Sequence, residues 1–336
     1  MYNRTIYRAG DTIEVMNYYG RGRHPEGMKR QSTSKTPEQI ARANRNQQIK
    51  KLNRIINANF KKGDMYYTLT YKREWEKPAT EEELLKDITN HLRRMSERMK
   101  RRGLVLVYVY TYSMGKSGNN PHAHIITNIP MGYEEHEEMI KQLWIKLDAT
   151  IVQKASLKDV EAGLQVWDAK GRLAVLKGFI HFARMWEGGQ YMALAVYLVD
   201  HSYTGEVPQD RETRDTLKDF IAEAEKDMEA KEEGVAKEQE AGSMDQEKAP
   251  GKRTRRKHKK AFEHSRSCTV PQPERTVVKA GKFHMKPRPI KGYYIQPGSV
   301  KSGIDLAGWP YLSYTLVRIP NRAGRNAAGA RKERAG

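Results

Sequence analysis

His122 and His124, two residues apart, have a type and spacing that could do chemistry. On an extended strand, residues i and i+2 leave the same face. Two imidazole nitrogens converging there can ligate a divalent cation. Ile125 and Ile126 follow and would anchor such a strand in a core. The pattern alone does not separate ligands from structural histidines. Farther on, Tyr191 and Tyr197 lie in a segment patterned as a helix. Six positions turn them about 240° apart, so they cannot share one helix face. Asp200 and His201, three and four residues beyond Tyr197, do share its face. A third feature is the basic run Lys252, Arg253, Arg255, Arg256, Lys257, Lys259 and Lys260. It can contact several phosphates with strongly salt-dependent affinity, or serve as a linker.

These residues need elements to position them. Thr36-Pro37-Glu38-Gln39 has a hydroxyl cap, a first-turn proline and a capping-box glutamine. The predicted helix has an apolar face (Ile40, Leu52, Ile55, Ile56, Phe60) and a basic one (Arg42, Arg45, Lys50, Lys51, Arg54). Residues 65–71 (MYYTLTY) read as a strand. Thr80 to Glu83 forms a second capping box, opening a helix with Leu84, Leu85, Ile88, Leu92, Met95 and Met99 at helical spacing, closed by Gly103. Residues 104–112 and 122–128 read as strands joined by a glycine-containing turn, as in a hairpin. Residues 134–147 are patterned as an amphipathic helix, with strand-like pieces at 150–153 and 178–185 and a helix from Gln190 to about Val199. Strands and helices in this order indicate an α+β domain with an antiparallel sheet.

Composition bounds the rest. Lys plus Arg number 61 against 41 for Asp plus Glu, a formal charge of +20, which favours a polyanionic partner such as nucleic acid. A single cysteine, Cys268, excludes a disulfide framework or a cysteine-based zinc site within one chain and fits a reducing cytoplasm. The polar start reads as lacking a signal peptide, and no apolar run is long enough to span a membrane.

Taken together, three stretches resemble the HUH endonucleases, and among them the phage and plasmid replication-associated proteins of the rolling-circle type. They are Gly63-Asp64-Met65-Tyr66-Tyr67-Thr68-Leu69-Thr70-Tyr71, Pro121-His122-Ala123-His124-Ile125-Ile126-Thr127-Asn128, and Tyr191-Met192-Ala193-Leu194-Ala195-Val196-Tyr197-Leu198. The resemblance spans roughly residues 37–320, patchily over 130–187 and across a charged insert. It implies that His122 and His124 bind Mg²⁺ or Mn²⁺ and that a helix tyrosine is the nucleophile. Ala195-Val196-Tyr197 fits the family's Ala-x-Tyr pattern, making Tyr197 the nucleophile and Tyr191 the alternative. The chain departs from the family in two places. Asp200 stands where a lysine is usual, and Thr111-Tyr112-Ser113-Met114 lacks the usual acidic third ligand. Either Asp200 or His201 completes the metal site, or the chain binds DNA without nicking it.

The expected fold class is α+β, a central antiparallel sheet flanked by helices (the RRM-like sheet of HUH endonucleases), with a charged insert and a basic C-terminal segment. The expected organisation is a flexible basic arm over 1–36, the nickase domain over 37–205, a charged helical or disordered insert over 206–260, a β-containing segment over 261–320, and a loose basic tail over 321–336. The implied activity is nicking and rejoining of single-stranded or supercoiled origin DNA through a 5′-phosphotyrosine, in the cytoplasm of a bacterial host. The rivals are a related relaxase or single-strand transposase, and an inactive DNA-binding protein of the same fold. No Gly-x-x-x-x-Gly-Lys-Ser/Thr motif is present, so a helicase would come from the host.

Overall fold

The computed structural model describes residues 1–19, 36–71, 79–116, 118–147, 166–167, 173–176, 178–186, 190–206, 211, 214–218, 220–221, 260–279, 283–305 and 308–319. Two of the predicted helices start at their predicted caps. Helix α1 (Pro37–Asn59) is capped by Thr36 and α2 (Glu81–Arg101) by Thr80, each with a complete capping box. Helix α3 (Tyr133–Leu143) stops earlier than the expected 147, because the chain turns at Trp144 and strand β6 (Ile145–Leu147) begins. Trp144 is fully buried and its indole N–H donates to the Thr70 carbonyl at 3.0 Å, a tertiary anchor that ends the helix. Helix α4 runs over Met192–Thr204.

The hairpin of β4 (Tyr108–Ser113) and β5 (His122–Thr127) lies inside a five-stranded antiparallel sheet with β3 (Met65–Thr70), β9 (Ile180–Arg184) and β10 (Glu263–His264). Its order is β10-β4-β5-β3-β9. Every residue of β3 and β5 is buried, as expected of central strands covered on both faces. Alternation divides them. Met65, Tyr67, Leu69, Ala123 and Ile125 pack with α2 and α3, while Tyr66 and Ile126 pack with α1 and α4. Each fully buried large side chain contributes roughly 1.5–3 kcal/mol. The α+β fold with an antiparallel sheet between helices is therefore as the sequence indicates. The same alternation puts His122 and His124 on the α1/α4 face, where His124 lies between Thr68 of β3 and Thr111 of β4.

Residues 2–18 depart from the expected flexible arm. They form β1 (Tyr2–Ala9) and β2 (Thr12–Tyr18), a hairpin turning at Gly10 with φ 56°. A Cβ at Gly10 would collide with the Asn57 carbonyl of α1. The hairpin joins β11 (Glu274–Val278), β12 (Tyr293–Ile295), β13 (Lys301–Ile304) and β14 (Pro310–Arg318) in a six-stranded sheet. One face meets α1, where Glu14 accepts from Arg54 at 2.7 Å and pairs with Lys50 at 3.1 Å. Ile13, Val15, Leu312, Tyr314 and Leu316 build a separate core on the other. A third sheet orders β6, β8 (Leu173–Leu176) and β7 (Val166–Trp167). The strand-like piece expected at 150–153, the basic run 252–259 and the tail 321–336 lie outside the described residues. Among the described residues, no helix is long and apolar enough to cross a membrane.

Candidate active site

Strand β5 delivers His122 and His124, and α4 delivers His201 and Tyr197, to one point between sheet and helix. The buried positions of α4 (Leu194, Ala195, Tyr197, Leu198, His201, Ser202) recur at helical spacing, so the stripe that seats the helix also aims Tyr197 and His201 at the sheet. One nitrogen of each of the three histidines lies within 4.8 Å of the others. The ring centroids of His122 and His201 are 4.9 Å apart, those of His124 and His201 5.1 Å, and those of His124 and Tyr197 5.4 Å. All four side chains are buried.

The hydrogen bonds assign the tautomers. His122 Nδ1 lies 2.7 Å from the Asn120 carbonyl oxygen, and His201 Nδ1 lies 2.8 Å from that of Glu206. A carbonyl only accepts, so both Nδ1 atoms carry the proton and both Nε2 atoms present lone pairs. Those two Nε2 atoms are 2.6 Å apart. Two facing lone pairs repel unless a cation sits against them, so this arrangement fits a shared metal ion. His124 follows the same pattern. The Tyr66 hydroxyl donates to the Phe220 carbonyl at 3.1 Å, so its lone pair accepts from His124 Nδ1–H at 2.6 Å. Thr68 Oγ1 stands 3.2 Å from the same nitrogen. The third Nε2 thus also turns inward, 3.5 Å from the Tyr197 hydroxyl.

Electrostatics keep these imidazoles neutral. Burial pushes His122 down to about 3, with His201 beside it adding to the effect and the Asn120 bond opposing it. His124 is held well below its ordinary value by burial, then by His122, His201 and His181. His201 is also lowered by burial, against the Glu206 bond. Neutral imidazole is the form that ligates metals. Burial raises the Tyr66 hydroxyl, keeping it a protonated donor.

Two loops hold the outer nitrogens. Gly205, the αL C-cap of α4 at φ 70°, packs so closely on Gly115 and Lys116 that a Cβ there would overlap their backbone. This contact joins the β4–β5 turn, which supplies Asn120, to the helix end that supplies Glu206. Of the two acidic or imidazole candidates on α4, the helix brings His201 to the cluster. Asp200 instead accepts both prongs of the Arg45 guanidinium from α1. Tyr191 caps α4, and its hydroxyl donates to the Trp186 carbonyl at 2.9 Å. Burial, with Asp64 and Asp11 adding smaller effects, raises it to about 12. Lys260, the one described member of the basic run, pairs with Glu263 at 2.8 Å.

Sequence reading passed over Tyr66, Thr68, Arg45 and His181 as site residues. Tyr66 and Thr68 were findable, since even-numbered positions of β3 must share the His124 face once β3 and β5 pair. His181, opposite Thr68 on β9, and Arg45 depend on pairings far apart in sequence, which no local pattern encodes.

Residues 64–194 match a family model for replication-associated proteins of the ORF2 type. The resemblance to replication-associated proteins is thereby borne out, consistent with a rolling-circle replication initiator. The matched span takes in β3, β5 and the start of α4, and stops short of Tyr197 and His201. No curated protein and no solved structure matches the chain.

Proposed function

We propose that this chain is a rolling-circle replication initiator that nicks and rejoins single-stranded origin DNA, with Tyr197 as nucleophile and His122, His124 and His201 as metal ligands. The observation that carries the reading is the convergence of three buried Nε2 atoms beside the Tyr197 hydroxyl. Of Mg²⁺ and Mn²⁺, an all-imidazole donor set suits Mn²⁺ better, because Mg²⁺ prefers oxygen ligands. A bound divalent cation would hold the scissile phosphate and neutralise the charge developing on it.

The chain's own residues do the rest. Asn120, Glu206 and Tyr66 fix the three imidazoles with their lone pairs inward. The Arg45–Asp200 pair ties α4 to α1 three residues beyond Tyr197, holding the helix against its neighbour. Tyr197 Oη forms a bond to phosphorus as the bond to the 3′-oxygen breaks. The proton lost by the phenol balances the one gained by the 3′-hydroxyl, so no water is consumed and rejoining is the reverse step. With the site buried, DNA reaches it only once a covering segment moves. The exposed Lys116–Glu206 pair at 3.0 Å spans the two covering loops and contributes little, about 0–1 kcal/mol, to keeping them closed. Unwinding would fall to a host helicase, in the cytoplasm of a bacterium carrying the phage or plasmid.

The test is incubation with Mn²⁺ and single-stranded DNA tiled across a candidate origin, followed by a denaturing gel. A covalent adduct is expected, lost with chelator and in Tyr197→Phe. Tight DNA binding with no adduct under any divalent metal would leave a DNA-binding protein without nicking activity.

A further inference from the structure

The six-stranded sheet carries a feature that the active site does not use. Its outer face, away from α1, holds the Ile13, Val15, Leu312, Tyr314 and Leu316 core, against which Phe283, Tyr293 and Ile295 also pack. The Phe283 ring lies 4.9 Å from that of Tyr2 at β1, while Tyr293 begins β12 on the far side of β14. The segment 283–293 therefore crosses this face as a strap. Along it His284, Lys286, Arg288 and Lys291 are all exposed.

The strap is stiff. In Lys286-Pro287-Arg288-Pro289 each proline fixes its own φ and holds the residue before it extended. Successive cations are thus presented about 6 Å apart with little entropy left to lose on binding. The surrounding acids are already taken. Asp11 pairs with Arg318, Glu14 with Arg54 and Lys50, and Glu274 with Arg8. Among the described residues, Lys286, Arg288 and Lys291 have no carboxylate partner. The nearby rings are also engaged. Tyr19 stacks on Phe283, Tyr293 takes the Arg318 guanidinium, and the Tyr294 hydroxyl accepts from Gln190. Base stacking, an option for Tyr293 and Tyr294, is therefore less favoured than contact with phosphates.

We infer that this strap is a second nucleic-acid contact, gripping the phosphate backbone of duplex DNA while the histidine site handles a single strand. The identity of the polyanion as DNA rests on the replication-initiator reading; the strap's geometry and charge do not. The test uses the full chain and its Lys286→Ala/Arg288→Ala/Lys291→Ala variant, binding a fluorescent random-sequence duplex across a salt series. The variant is expected to bind roughly tenfold or more weakly near physiological salt, with the log–log salt slope shallower by about 2–3. Pro287→Gly/Pro289→Gly, which keeps every charge, should weaken binding while leaving the slope unchanged. Wild-type affinity and slope in the triple variant would overturn the proposal. Adduct formation on a short single-stranded oligonucleotide is expected to survive the triple substitution. If the unmutated chain forms no adduct, the nicking reading fails while the duplex measurement still decides the strap.

Discussion

At the scale of single residues, the tautomers decide what the site can do. His122 and His201 have their Nδ1–H groups committed to carbonyls, which can only accept, whereas His124 depends on a hydroxyl. Tyr66 can act as acceptor there because its own proton goes to the Phe220 carbonyl. Tyr66→Phe removes that acceptor and leaves only Thr68. Metal affinity, read by Co²⁺ or Mn²⁺ titration, should fall by about 10–100-fold, as is usual when a ligand histidine loses its outer partner. Unchanged affinity would mean that Thr68 alone suffices. Buried neutral histidines also make stability depend on pH. In the unfolded chain they titrate near 6.5, while burial holds His122 at about 3 and His136 at about 4. Below about 6.5 the unfolded chain binds more protons, so stability is full above that pH and declines as pH falls toward 3. Thermal melts of metal-free protein should show a midpoint dropping steadily from pH 7 to 4, and a flat profile would contradict this burial.

At the scale of elements, the site depends on how α4 ends. Gly205 is both left-handed and in backbone contact with Gly115 and Lys116. Gly205→Ala combines a conformational cost of about 1–2 kcal/mol with a steric clash that pushes His201 away from His122. Gly298, at φ 71° with open space around it, has the conformational cost alone. Gly205→Ala should therefore lose more stability than Gly298→Ala and also lose metal affinity, while Gly298→Ala keeps it. Equal effects in the two variants would remove the clash from the account. Legibility follows the same division between local and distant causes. The caps of α1 and α2 and the H-x-H strand were readable because hydroxyl caps and two-residue alternation are local signals. His201 was readable as a residue on the Tyr197 face, but not as distinct from Asp200. What separates them is Arg45 on α1, 155 positions from its partner.

At the scale of the molecule, the chain's two ends meet in one sheet. Strand β1 pairs with β11 and β2 with β14, pairings across more than two hundred residues. A polar strand such as YNRTIYRA shows no clean alternation, which is why residues 2–18 read as an arm. Removing residues 1–19 should strip Leu312, Tyr314 and Leu316 of cover, and hydrogen exchange should then find the β14 amides unprotected. Retained protection would mean that the sheet stands without its hairpin. The central claim is chemical, however, and it concerns one oxygen atom. If the chain is a nicking enzyme, its DNA-linked form digested with trypsin should yield the 185–211 peptide carrying nucleotide. Fragmentation by mass spectrometry can then distinguish Tyr191, Tyr197 and Tyr203 within that peptide. The account expects the phosphoryl group on Tyr197, and finding it on Tyr191 or outside this peptide would contradict it.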